Sequence, residues 1–368
     1  MDPVCVGCGE RVADIRVWRC PRCGGPLEFP QWSLPHGPLG TGRGLTRFRP
    51  WIPAGDPVSI GEPPTPLVEG EAGVVYKLEG ALPTGSFKDR GSAFLVGRLL
   101  AAGVSGITVD SSGNAGASLA AYGAAAGIAV RVFVPAHASG PKLSQMRAYG
   151  AEVVPVAGTR SDVGTAALAA ATDELVYASH IWNPAFVLGT QTFAFELFEQ
   201  LGAAPAAIVC PLGAGTLLLG CYYGFRSLVQ AGLWDRMPAI VGVQSERCAP
   251  FVRAFAGAAA NGGDCASSIA EGILIAVPPR LATVVAAVRE TGGAVVAVGE
   301  DAIAAATLRL ARQGVYAEPT AAVPAAALDT VRGVLELDGP IVAAVTATGL
   351  KSGAAIEELL ETSTAAVR

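Results

Sequence analysis

Apolar residues recur along this chain in two rhythms. Short unbroken runs rich in valine and isoleucine predict strands at Val74–Leu78, Ile107–Val109, Ala129–Val134, Glu152–Val156, Ala207–Pro211, Ala239–Gln244, Ala294–Val298 and Ile341–Val345. Between them, apolar positions at helical spacing predict helices at Ala93–Leu100, Gly116–Ala126, Lys142–Tyr149, Asp162–Ala171, Thr190–Gln200, Thr216–Gln230, Arg280–Glu290, Asp301–Gln313 and Ala321–Leu335. Short apolar strands alternating with helices predict mostly parallel sheets covered on both faces, an α/β class with two doubly wound domains. The expected division is a small module at 1–30, a larger domain from 31–100 with 188–368, and a smaller domain at 101–187. Ligands in such folds bind beyond the carboxyl ends of strands, where helices begin. The loops after strands are therefore where chemistry is sought.

The N-terminal stretch breaks this rhythm. Cys5-x-x-Cys8-Gly and Cys20-x-x-Cys23-Gly are two knuckles, each followed by a glycine that permits a tight turn aiming amides at the sulfurs. Four thiolates, Cys5, Cys8, Cys20 and Cys23, make a closed tetrahedral site, so a structural Zn2+ in a zinc ribbon is expected. Two disulfides or four free thiols are the competing readings; a reducing compartment opposes the first and the paired spacing the second. From Pro30 to Pro66 the chain is rich in proline and glycine, with Trp32, Phe48 and Trp51, and an extended connector wrapped on the surface is expected.

Composition narrows the function. Apolar residues make up 51% of the chain, charged residues 15%, and the net charge is −5, so nothing implies a nucleic-acid partner. No basic segment precedes an apolar one at the N-terminus, so no signal peptide is expected. The uncharged runs Ser111–Val130 and Leu201–Phe225 raise a membrane question, but glycines break both and Pro205 and Pro211 break the second. The expectation is a cytoplasmic enzyme with a small-molecule substrate and no membrane partner, assembled as a homodimer.

Only four of the 26 basic residues are lysine. One lies in Leu82-Pro83-Thr84-Gly85-Ser86-Phe87-Lys88-Asp89-Arg90-Gly91, where Pro83 and Gly85 mark a turn, Ser86 is a candidate cap and a helix follows. Lys88 in the first helical turn faces the positive end of the helix dipole, which favours the neutral, nucleophilic amine. The competing reading is a solvated Lys-Asp-Arg step. Two further loops open helices. Ser111-Ser112-Gly113-Asn114-Ala115-Gly116 can cradle an anion or serve as an ordinary N-cap. Leu212-Gly213-Ala214-Gly215-Thr216-Leu217 suits a single phosphate: Leu218 replaces the third glycine of a dinucleotide fingerprint, and no Gly-Lys-Ser/Thr follows.

Pro83-Thr84-Gly85-Ser86-Phe87-Lys88-Asp89-Arg90-Gly91 resembles the cofactor-lysine motif of the threonine synthases and their relatives, the fold type II pyridoxal phosphate enzymes. Ser112-Gly113-Asn114 resembles that family's asparagine loop. Gly213–Leu217 resembles its phosphate loop, and Thr346-Ala347-Thr348-Gly349-Leu350-Lys351 its T-G-x-G-L-K segment, with Ala347 departing by one methyl. Thr65-Pro66-Leu67, Gln244–Pro250, Ile269–Ile273 and Glu318–Ala322 add weaker matches. The resemblance implies a cleft for pyridoxal 5'-phosphate, with Lys88 as its Schiff-base lysine and proton-transfer group. Phe87, Asn114, Gly213, Ala214, Gly215, Thr216, Leu217 and Thr346 are implied as cofactor contacts: Asn114 at the ring hydroxyl, Gly213–Leu217 at the phosphate and Thr346 at the pyridine nitrogen. Ser111, Ser112, Asn114, Ala115 and Gln191 are implied around an amino-acid substrate. Some threonine synthases also carry a cysteine-rich N-terminal segment.

The resemblance implies a lyase acting on O-phospho-L-homoserine, but three donors expected for a substrate phosphate are missing. Ala115 replaces a threonine, Ala185-Phe186-Val187 follows Asn183-Pro184 without an arginine, and Gly272-Ile273-Leu274-Ile275 lacks one as well. Arg160, Lys142 and Arg147 are candidate substitutes. Serine or threonine dehydration and cysteine synthase-type β-replacement are therefore carried as alternative reactions. A catalytically silent ligand-binding module is the alternative from another class.

Overall fold

The structure, a computed structural model, describes residues 1–35, 40–52, 55–138, 140–258 and 265–365. Its strands in chain order are β1 Val4–Cys5, β2 Leu27–Glu28, β3 Leu67–Glu69, β4 Val74–Leu78, β5 Gly106–Val109, β6 Ala129–Pro135, β7 Glu152–Val156, β8 Leu175–Tyr177, β9 Ala207–Pro211, β10 Ala239–Ser245, β11 Val295–Val298 and β12 Ile341–Val345. Its helices are α1 Lys88–Ala101, α2 Asn114–Ala126, α3 Pro141–Ala148, α4 Arg160–Ala169, α5 Pro184–Thr190, α6 Thr192–Leu201 and α7 Thr216–Gln230. The series continues with α8 Pro250–Phe255, α9 Leu281–Glu290, α10 Glu300–Arg312, α11 Pro319–Ala326, α12 Leu328–Val334 and α13 Gly353–Ala365.

Two compact units result. The first holds Met1–Pro64, Leu82–Leu197 and Arg226–Leu233; the second holds Thr65–Ala81, Phe198–Phe225 and Trp234–Arg368. Residues 31–64 and 82–100 thus group with the smaller sheet instead of with 188–368. The cause is packing: α1 lies on α2 and α5, and the connector is anchored in the same unit.

The first unit carries a four-stranded, all-parallel sheet in the order β7-β6-β5-β8. The second carries six strands, β11-β10-β9-β12-β4-β3, parallel except for the edge strand β3, which pairs antiparallel with β4. Central strands β5 and β12 are buried along their whole length, as expected of parallel strands sandwiched between helices. In the second unit α11 lies against β9, β10 and β12, and its alanines and valine join Val209, Val243 and Ala343 in one core.

The connector is not the extended surface strap expected. A 3-10 helix at Gly44–Trp51 buries Leu45, Phe48 and Trp51, and Trp51 meets Phe195 edge-on at 5.2 Å. Buried Glu62 fastens it further, accepting from Leu45 N (3.1 Å), Ile60 N (2.9 Å), Ser59 Oγ (2.6 Å) and Tyr122 OH (2.6 Å). Residues 36–39 and 53–54 of this stretch lie outside the described residues.

Other differences have local causes. The helix expected over Thr190–Gln200 is two, α5 and α6, because Asn183 caps an earlier start at Pro184, accepting from Ala185 N at 3.0 Å. The helix expected over Ala321–Leu335 breaks at Ala327, three residues after Pro324. The run Ser111–Val130 is loop, α2 and part of β6, and Leu201–Phe225 contains β9 and most of α7. No helix among the described residues is long and apolar enough to cross a membrane.

Candidate active site

In the first unit the lysine turn is stapled by a buried carboxylate. Asp89, fully buried, accepts from Thr84 N (2.8 Å), Thr84 Oγ1 (2.5 Å) and Ser118 Oγ (2.7 Å), and Ser118 also pairs with Ser92 at 2.8 Å. Gly85 takes a left-handed φ of +83°, which lets its amide close on Leu82 O at 2.7 Å. Arg90 is equally buried and pairs with Glu196 at 3.0 Å, where Arg47 joins at 2.7 Å. A solvated Lys-Asp-Arg step is therefore excluded: Asp89 and Arg90 are core residues. Ser86 is not the cap. Phe87 holds the N-cap position, already in helical φ/ψ, so Ser86 stands one residue too early.

Lys88 is the first residue of α1 and half-buried. Its Nζ lies 4.4 Å from the centroid of the Phe87 ring and 5.7 Å from that of Phe186. Phe186 reaches that position because position 91 is glycine: a Cβ there would stand 2.5 Å from ring atoms Cε1 and Cζ. Gly189 does the same from α5, where a Cβ would collide with the Arg90 carbonyl. The glycine of the Lys-Asp-Arg-Gly step thus serves helix packing beside the amine.

At the carboxyl end of β5, Ser111 and Ser112 are half-buried and Gly113 is the N-cap, so α2 begins at Asn114, two residues earlier than expected. Ala115 is 2% exposed. Gln191 ends α5 and is buried. Among the described residues, several enclosed polar atoms near α1 and α5 have no hydrogen-bond partner: Ser86 Oγ, His180 Nδ1, Asn183 Nδ2 and Gln191 Oε1. Each costs about 1–3 kcal/mol if left so. Such a concentration fits elements that complete their hydrogen bonding with a bound polar ligand.

His180 was not singled out by sequence; its rarity was the available signal, since the chain has three histidines. It follows β8 and meets Phe186 edge-on at 5.8 Å. Burial, then the charges of Lys88 and Arg160, hold its pKa well below the usual imidazole range. Arg160, a candidate phosphate donor, pairs with Asp110 at 2.9 Å.

In the second unit, β9 runs into Gly213-Ala214-Gly215 and α7 opens at Thr216, followed by buried Leu217. Leu212 N is held on Val243 O at 2.7 Å. Gly215 takes φ +83° where a Cβ would meet Val284, and a Cβ at Gly213 would stand 3.0 Å from Ile273 Cα. Gly215 requires glycine and a side chain at Gly213 would be crowded, and the turn presents amides at a helix N-terminus, a donor set suited to phosphate. Thr346, 2% exposed, follows β12, which pairs directly with β9. The glycine turn and Thr346 therefore stand at one carboxyl edge on neighbouring parallel strands. Glu271 is exposed, whereas Glu318 is buried at the N-cap of α11.

In the N-terminal module, Cys5, Cys8, Cys20 and Cys23 bring their Sγ atoms within 4.8 Å of one another. Gly9 and Gly24, behind each knuckle, take φ +73°. Burial pushes the Cys5 thiol up, but the Cys8 amide, the Cys23 thiol and the Gly7 amide outweigh it and bring it to about 7. Trp18 joins the module to its unit, edge-on to Tyr177 at 5.2 Å and to Trp182 at 5.3 Å. A disulfide between Cys248 and Cys265 was not expected.

Residues 58–347 match the family described as pyridoxal-phosphate dependent enzyme. The chain is 31% identical to a threonine synthase of Methanosarcina acetivorans, covering 97% of this chain and 94% of that protein. It is 32% identical to threonine synthases of Methanocaldococcus jannaschii (94% and 92% covered) and Mycobacterium tuberculosis (83% and 88%). A processed threonine deaminase isoform 2 from Solanum lycopersicum has a similar fold at TM-score 0.72 and 23% identity, covering 90% of this chain and 98% of that one. A Rhizomucor miehei L-serine ammonia-lyase, at TM-score 0.72 and 21% identity, covers 82% and 98%. With the family matched over most of its length and threonine synthases similar from end to end, the chain belongs to the fold type II pyridoxal-phosphate-dependent enzymes, in their threonine synthase-like group.

Proposed function

We propose that this enzyme is a threonine synthase-type lyase: it releases phosphate from O-phospho-L-homoserine and forms L-threonine. The observation that carries the reading is the Lys88 turn, an amine held at a helix start by the buried Asp89 staple and walled by Phe87 and Phe186. Pyridoxal 5'-phosphate, when bound, supplies the electron sink that makes the substrate's α-proton removable. In this reading Lys88 anchors the cofactor between turnovers, then takes the α-proton at Nζ and returns protons along the substrate. Gly213–Leu217 hold the cofactor phosphate with main-chain amides, and Asn114 orients its ring. Thr346 gives the ring nitrogen a neutral hydroxyl partner, which favours an unprotonated ring more than a carboxylate would. Ser111, Ser112 and the Ala115 amide take the substrate carboxylate, with Gln191 beside them. The apolar rings of Phe87 and Phe186 flank the amine.

A second reading, dehydration of serine or threonine, is favoured by one observation. Ala115, Phe186 and Val187 are buried and uncharged where a substrate phosphate needs donors. One assay separates the two. Under the lead reading, O-phospho-L-homoserine yields phosphate and threonine much faster than serine or threonine yields ammonia and keto acid. The opposite order establishes the dehydratase instead, and turnover that requires an added nucleophile establishes β-replacement.

We also infer that Cys5, Cys8, Cys20 and Cys23 hold one zinc ion as a zinc ribbon. An all-thiolate set with no open position suits a structural ion and no catalytic role.

A further inference from the structure

The reaction proposed above uses no histidine, yet a buried one shares an aromatic wall with the reactive lysine. His180 is 9% exposed, and its enclosed Nδ1 has no hydrogen-bond partner among the described residues. It sits in the loop after β8, which pairs in parallel with β5, so it lies at the same carboxyl edge as the Ser111–Gly113 loop. The Phe186 ring centroid is 5.8 Å from the His180 ring centroid and 5.7 Å from Lys88 Nζ. The loop is braced on both flanks of His180, since Trp18 packs on Tyr177 and on Trp182, and Asn183 then caps α5. A braced, buried imidazole whose Nδ1 lacks a partner is costly, and a ligand atom that completes its hydrogen bonding offsets the cost.

We propose that His180 is a substrate-binding residue that hydrogen-bonds the oxygen on the substrate's side chain, and so selects amino acids bearing an oxygen substituent beyond Cβ. This rests on the reading of the enzyme as an amino-acid lyase with Lys88 at the α-carbon. Once the α-proton faces Lys88 and the carboxylate occupies the Ser111–Ala115 loop, the side chain is the part left for a group beside the Phe186 ring. Burial and the charges of Lys88 and Arg160 keep the imidazole neutral, so it acts as a hydrogen-bonding group for oxygen and not as a counter-ion. No bond forms or breaks at the ring. His180 would therefore supply part of the recognition that the absent arginines do not.

The test compares two ligands with the same carbon skeleton, L-homoserine and L-2-aminobutyrate, which lacks the terminal hydroxyl. Binding to the cofactor-loaded full-length protein is measured by calorimetry for the native chain, His180→Phe and His180→Gln. The expected result is about 10- to 100-fold weaker homoserine binding for His180→Phe, with 2-aminobutyrate changed less than about twofold. His180→Gln, which keeps a donor, recovers most of the homoserine affinity. In ¹⁵N-histidine-labelled native protein, homoserine and not 2-aminobutyrate shifts the ring signals that His180→Gln removes; the chain has only three histidines to resolve. Equal losses for both ligands, no loss for either, or native protein that binds no homoserine overturns the proposal. The substrate reading fails separately: native enzyme that frees no phosphate from O-phospho-L-homoserine refutes that reading, while selective loss of homoserine in His180→Phe would still support His180.

Discussion

At the scale of single residues, the charged step beside Lys88 divides by burial. Lys88 stays half-buried while Asp89 and Arg90 enter the core, Asp89 held by nearby Thr84 and by Ser118, Arg90 by Glu196. Lys88 stands out in the sequence because lysine is scarce and this one sits in a glycine-serine turn. The burial of Asp89 does not, since besides nearby Thr84 it rests on Ser118, and nothing local marks that contact. His180 likewise shows its character only through burial, and this gives a pH prediction. Burial, Lys88 and Arg160 depress its pKa in the folded chain. Unfolded chain then binds a proton below pH about 6.5 that the folded chain refuses, so stability falls as pH falls. Native protein should lose about 1 kcal/mol more than His180→Gln between pH 6.5 and 5.5, measured by urea unfolding. Parallel pH dependences for the two chains would contradict a neutral buried imidazole.

At the scale of elements, the strands were the most legible parts. Val74–Leu78, Glu152–Val156, Ala207–Pro211 and Ile341–Val345 stand where the apolar runs predict them; Ala207–Pro211 and Ile341–Val345 are central parallel strands, almost wholly buried and apolar throughout, whereas Glu152–Val156 is a partly exposed edge strand. β8, three residues long, and α5, seven, were too short to carry a period. The connector failed differently: proline and glycine signal irregular backbone, but not that Leu45, Phe48 and Trp51 would be buried. Helices α1 and α5 approach closely where Gly91 admits the Phe186 ring. Gly91→Ala should destabilise the protein by about 1–3 kcal/mol through overpacking. Adding Phe186→Leu should recover part of that loss, read as a coupling in a double-mutant cycle of chemical unfolding. Additive effects would mean that the two positions do not oppose each other.

At the scale of the whole molecule, the fold class and the order of the motifs were both readable, while the grouping of segments was not. Residues 31–64 and 82–100 follow α1 and its buried anchors, and no boundary composition announces this. The four cysteines converge as their spacing implies. Protein purified without chelator should contain one zinc per chain. Strong chelation should disorder the module and change Trp18 fluorescence, as its packing on Tyr177 and Trp182 is lost, while cofactor absorbance persists. Zinc-free protein with the same Trp18 signal would contradict the assignment.

In the proposed reading Lys88 carries the cofactor, and a chain with four lysines makes this directly testable. Lys77 is buried and bonded to Thr65 O at 3.1 Å and Gln200 Oε1 at 2.7 Å, Lys351 is 7% exposed, and Lys142 lies in the first turn of α3. Borohydride reduction of the cofactor-loaded enzyme, followed by peptide mass mapping, should place the pyridoxyl adduct on Lys88 alone, and Lys88→Ala should yield no adduct. An adduct on Lys77, Lys142 or Lys351, or one retained in Lys88→Ala, would contradict the account.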